Sequence, residues 1–156
     1  MTTRTVGRAA ACIVAGVALA TAACKPIAQR QALKDCKFKL TDVDVKGLSL
    51  TNVILLAKVE VYNPNDLDVI VDRFDYELFS DKVLLAAGTH AQQEKIAKGA
   101  TDVVEITVNS PLKNLGKGIL NQITNRNNVT YTLRGTVYVK TFVGDLKIPV
   151  TLQKKY

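Results

Sequence analysis

The chain has 156 residues, of which 47% are hydrophobic and 22% charged, and 21 Lys/Arg against 14 Asp/Glu give a formal charge of +7. That balance excludes an intrinsically disordered chain, which would be poor in apolar residues, and the length suits one domain. The absence of Trp, the scatter of basic among acidic residues and the lack of a recognition motif argue against nucleic acid as a partner.

Residues 1–23 read as a targeting segment. Arg4 and Arg8 form a positive start, and the stretch from Ala9 to Ala23 is uncharged. It is too short and too rich in alanine for a membrane span, which needs about 20 strongly apolar residues. The run Leu19-Ala20-Thr21-Ala22-Ala23-Cys24 resembles the lipobox of bacterial lipoproteins, with Cys24 as the acylated residue. Thr21 departs from the aliphatic residue usual at its position, and Ala20-Thr21-Ala22 also satisfies the small-x-small rule for ordinary secretory cleavage. If Cys24 is lipidated, Lys25 follows it where the inner-membrane retention rule looks for aspartate. The expected location is therefore the bacterial cell envelope, with the outer membrane favoured in a two-membrane host.

Cleavage before Cys24 leaves 133 residues, enough to bury a core without disulfides. Cys36 is then the sole other cysteine, so an internal bridge, Cys24–Cys36, is open only if Cys24 is not acylated. Residues 24–35 form a linker, and residues 36–156 the domain. Charge is unevenly spread: residues 25–59 carry +4, residues 60–81 carry −6 and the remainder +7. The basic residues nearest the proposed anchor (Lys25, Arg30, Lys34, Lys37, Lys39) suit either an anionic leaflet or a plain solvated linker.

From Phe38 onward apolar residues alternate with polar ones, the period of half-buried strands. Val53, Leu55, Ala57, Val59 and Val61 share one phase; Val104, Ile106 and Val108 share another; Tyr131, Leu133, Val137 and Val139 a third; Leu146, Ile148, Val150 and Leu152 close the series. The phase flips between Leu40 and Val43 and between Val71 and Phe74, which predicts a β-bulge or a bend at each place. Turn signals fall at Lys46-Gly47, Asn63-Pro64-Asn65-Asp66, Ser80-Asp81-Lys82, Gly88, Lys98-Gly99, Asn127-Asn128 and Gly144-Asp145. Leu112, Leu115, Ile119, Leu120 and Ile123 instead follow a helical stripe, with Ser110 placed to cap it and Pro111 to sit in its first turn. The expected fold is all-β: an immunoglobulin- or fibronectin-like antiparallel β-sandwich of about seven strands with one short helix.

The search for chemistry is thin. His90, the sole histidine, reads as an exposed loop residue; Ser80 and Ser110 lie in no nucleophile motif; glycines lack phosphate-loop spacing; Cys36 reads as a buried thiol. Asn63, Asn65, Asp66, Asp68 and Asp72 offer oxygen ligands of the kind calcium takes, but without the fixed offsets of an EF-hand. They read instead as a turn with acids that discourage edge pairing. No enzyme, metal or cofactor is expected.

The order of Val59-Glu60-Val61-Tyr62-Asn63-Pro64-Asn65, Tyr76-Glu77-Leu78-Phe79, Leu85-Ala86-Ala87-Gly88, Tyr131-Thr132-Leu133-Arg134-Gly135 and Leu146-Lys147-Ile148-Pro149 resembles the type 2 late embryogenesis abundant (LEA), or WHy, domain over residues 36–153. The resemblance implies a folded sandwich with a helix, a role in tolerance of drying and cold, and no catalytic residues. Asn63, Pro64 and Asn65 form the hallmark, with a structural role. The expected partners are the membrane, through acyl groups on Cys24, and client proteins or lipids. Two functions follow: a stress-protective, holdase-like envelope domain, or a binding module for a lipid or an envelope protein.

Overall fold

The computed structural model describes residues 36–126, 128–141 and 144–156; Cys24, the targeting segment and the linker lie outside the described residues. Among the described residues eight strands form, most of them where the alternating pattern predicts them. The first two, β1 (Lys37–Leu48) and β2 (Asn52–Tyr62), make a hairpin, followed by β3 (Val69–Ser80), β4 (Val83–His90) and the three-residue β5 (Glu94–Ile96). β6 (Thr101–Pro111), a 3-10 turn (Leu112–Asn114), a helix α1 (Lys117–Asn125), β7 (Thr130–Thr141) and β8 (Gly144–Lys155) complete the chain.

The strands pair antiparallel in two sheets. One has the order β1-β2-β6; in the other, β4-β3-β7-β8, β5 continues the β4 edge of β3. The predicted inward phases are buried: Leu55, Ala57 and Val59 of β2 pair in register with Val108, Ile106 and Val104 of β6, and Val53 and Val61 are buried on the same face of β2. Tyr131, Leu133, Val137 and Val139 of β7 line the other sheet, with Phe74, Tyr76 and Leu78 of β3 beside them. Each such side chain, once buried, contributes about 1.5–3 kcal/mol. Both predicted phase flips coincide with register shifts, one between Leu40 and Asp42 against β2 and one between Val71 and Arg73 against β7. An extra residue there turns the following side chains to the opposite face.

Several local expectations are corrected. The strand count is eight, because the short β5 was hidden in a stretch with no alternation to mark it. Lys46-Gly47 lies within β1 at a further register shift, and Gly88 lies inside β4. Gly88 is there because a Cβ at that position would meet the Tyr76 hydroxyl at 2.9 Å. Ser110 does not cap the helix: it is buried in β6 and its Oγ donates to the Leu85 carbonyl at 2.6 Å, tying the two sheets together. The helix starts later, after Gly116, with no side-chain cap, and buries Ile123. β3 is an interior strand, so its acids guard no sheet edge.

Further polar ties close the sandwich. The Tyr76 hydroxyl donates to the Thr107 carbonyl of the facing sheet at 3.2 Å. At the side where β8 meets β1, the Tyr156 hydroxyl donates to the Asp42 carboxylate and accepts the Val43 N–H at 2.9 Å. Arg126, in left-handed conformation at the end of α1, reaches Asp42 at 3.6 Å and pairs with Asp44; Lys58 approaches both acids at 3.9 and 3.7 Å.

Candidate functional site

The motif Asn63-Pro64-Asn65 follows the last residue of β2, and Asn63 is fully buried. A buried amide has two donors and an acceptor oxygen to satisfy. Asn63 Nδ2 donates to the carbonyls of Leu67 at 2.8 Å, Ala97 at 3.2 Å and Ile96 at 3.3 Å. Its Oδ1 accepts the N–H and the side-chain amide of Asn65, both at 3.2 Å, and lies 3.9 Å from the Cys36 Sγ. The Asn63 N–H donates to the Ala100 carbonyl at 2.9 Å, and the Gly99 N–H to the Asn65 carbonyl at 3.2 Å. One side chain therefore joins the start of β1, the 63–67 turn and the β5–β6 turn. Pro64 sits exposed between the two asparagines, where it has no N–H to leave unsatisfied. These hydrogen bonds occupy the Asn63 side chain and tie the loops together.

Two of the acids after the motif, Asp68 and Asp72, are also engaged within the protein. Asp68 receives Lys95 at 2.9 Å and the Lys98 N–H at 3.0 Å, contacts that hold its carboxyl below the usual range. Asp72 accepts from Gln93 at 2.7 Å. Among the described residues no group of His, Cys, Asp and Glu converges in a way that could hold a metal.

The residues weighed for nucleophilic chemistry are held apart. Ser80 pairs with Val83 and Phe74 with His90, so six residues of β3, about 20 Å, separate the serine from the histidine. Ser110 is bound to Leu85, five residues up β4 from His90. His90 is half-buried at the end of β4, which corrects the expectation of an exposed loop. Cys36 is buried beside Asn63. No nucleophile lies beside a base, so this set cannot assemble an acyl-transfer site.

Between the sheets, Phe38, Val59, Phe74, Ile106, Val137 and Leu152 line a dry cavity of about 20 Å³. Small-molecule pockets run to roughly 300–1,000 Å³, so the sandwich has no enclosed ligand chamber there. No described helix is long and apolar enough to cross a membrane.

One feature escaped the sequence reading. The β1–β2 hairpin tip carries Leu48, 59% exposed, and Leu50, fully exposed. The signal was there in Leu48-Ser49-Leu50: two leucines at a turn, where polar residues are the rule.

The fold and these arrangements can be set against known proteins. Residues 58–154 match the family model described as late embryogenesis abundant protein, type 2. The chain belongs to the type 2 LEA family. Members of this family are generally non-catalytic. The LEA match begins within β2, so β1 and the hairpin tip lie before it, although β1 supplies Leu40 and Val43 to the same core. Solved structures share the LEA fold at low identity. The solution structure of an Arabidopsis thaliana protein has a TM-score of 0.61 at 21% identity, covering 76% of this chain and 79% of that one. The solution structure of a protein described as late embryogenesis abundant has a TM-score of 0.55 at 21% identity, covering 86% and 83%. A crystal structure of an Archaeoglobus fulgidus protein gives 0.56 at 9% identity, covering 77% and 96%. No curated protein sequence matches the chain.

Within the LEA domain, the Tyr-x-Leu-x-Gly element has a packing reason. A Cβ at Gly135 would lie 2.5 Å from Cε2 of the Phe74 ring, so only glycine fits. Tyr131 and Leu133, on the same face, are fully buried.

Proposed function

We propose that this LEA domain is carried to the bacterial envelope, anchored there through acyl groups on Cys24, and protects proteins or membrane against drying and cold in a holdase-like manner. The observation that carries this reading is the packed interior. With a cavity of only about 20 Å³ between the sheets, a type 2 LEA domain of this kind acts through its surface. The residues Leu19 to Cys24 support the anchor, and the anchor would place the surface beside envelope clients.

The test is direct. A fragile reporter enzyme is dried or frozen with the purified chain or with an equal mass of albumin, and its recovered activity is compared. Recovery above the albumin level is the expected result, and recovery no better than albumin refutes protection. Palmitate labelling of the wild-type chain and of Cys24→Ala tests the anchor, with label expected in the first and lost in the second. The alternative, a lipid- or envelope-protein-binding module, is favoured at one place, the exposed hairpin tip.

A further inference from the structure

The β1–β2 tip combines three properties. Its leucines are fully or largely exposed: Leu50 completely, Leu48 at 59%, with Ile54 at 38% behind them and in reach of Gly47. Its backbone is held: the Ser49 hydroxyl accepts the N–H groups of Thr51 at 3.3 Å and Asn52 at 3.0 Å, and the Leu112 N–H donates to the Thr51 carbonyl at 2.8 Å. The exposure of Leu50 is thus fixed by a hydrogen-bonded turn braced on the 3-10 turn behind it.

Its surroundings are basic. Leu50 shares a shallow concavity with Pro111, Leu112 and Lys113, and Lys117 follows at the start of α1. Lys113 and Lys117 both lie at exposed positions. Of the acids at this end, Asp44 pairs with Arg126 and Lys58, and Asp81 keeps its charge while accepting the Thr130 N–H at 3.0 Å. Asp66, Asp68 and Asp102 lie at the far end of the same strands, about 35–40 Å away by the length of β1.

We propose that this tip docks on an anionic lipid surface, with Leu48 and Leu50 entering the headgroup–acyl boundary and Lys113 and Lys117 meeting the phosphates. Apolar residues flanked by lysines match such an interface on both counts: the leucines leave water, and each lysine gains from the negative surface potential. A protein partner of the same size would need an apolar area wider than two leucines and a half-exposed isoleucine. The proposal does not rest on the anchor or on the protective reading.

The chain contains no tryptophan, so Leu50→Trp in the full chain is a sole reporter of the tip, whatever the acyl groups do. On vesicles of phosphatidylcholine with phosphatidylglycerol, its emission is expected to shift to the blue and to be quenched by brominated acyl chains. On phosphatidylcholine alone it should stay at its solvent value. Adding Lys113→Glu and Lys117→Glu, both at exposed positions, is expected to lower the lipid affinity of the tip at least about tenfold. Emission that stays at its solvent value on the anionic vesicles, or that shifts equally on both, overturns the proposal. Reporter protection unchanged in the lysine variants would show that protection and docking are separate.

Discussion

At the residue scale, two buried polar groups carry opposite costs. The Asn63 side chain is satisfied by its neighbours, and its removal would take a donor from the carbonyls of Leu67, Ile96 and Ala97, of which that of Ile96 lies in the interior. Since a buried group left unsatisfied costs about 1–3 kcal/mol, Asn63→Ala is expected to lower stability by about that much, read as a fall in the urea midpoint. Tyr131 is the reverse. Its ring is fully buried, edge-on to Tyr156 at 5.8 Å, and its hydroxyl has no hydrogen-bond partner among the described residues. Burial, with Tyr156 nearby, pushes its pKa up to about 12. Because the folded value lies above the unfolded one, near 10, the neutral phenol favours the fold below pH 10, and about 3 kcal/mol is lost as pH rises from 10 to 12. Tyr131→Phe is expected to keep or slightly raise stability at pH 7 and to flatten that alkaline decline in a thermal-melt series. A large loss at pH 7 would mean that the hydroxyl has a partner.

At the scale of elements, the β8–β1 side is latched by charge. Burial raises the Asp42 carboxyl, but the Tyr156 hydroxyl, Arg126, the Val43 N–H and Lys58 outweigh it and hold it below 3.8. The sign follows: a lowered folded pKa contributes stability above about pH 4 that disappears as pH falls through the folded value. Asp42→Asn should therefore cost about 1–3 kcal/mol at pH 7 and leave less acid sensitivity than the wild type, as equilibrium unfolding at pH 7 and pH 3 would show. This latch was not legible in the sequence, because Asp42, Lys58, Arg126 and Tyr156 are far apart in the chain and only the fold brings them together. The strands were legible, since burial on one face imposes a period of two on Val53 to Val61 and on Tyr131 to Val139. The bulges were too, for an inserted residue leaves a visible phase change. β5 has three residues, too few to show a period, and Ser110 was misread because a serine before a proline looks alike whether it caps a helix or ends a strand.

For the whole molecule, the sandwich and its family could be read from the order of short motifs, and several of these motifs have a physical reason. Asn63 seals an end of the sandwich, and Gly135 makes room for Phe74. The hairpin tip was marked only by two leucines at a turn, since alternation marks what is buried and says nothing of an apolar residue held out in solvent. The central claim is that the domain works through its surface, because the space between its sheets is filled. Native mass spectrometry of the chain purified from cells tests this most directly. The expected spectrum shows the polypeptide with acyl groups at Cys24 and no other retained mass, in the wild type and in Cys24→Ala without those groups. A stoichiometric small-molecule adduct that survives in the Cys24→Ala chain would contradict it.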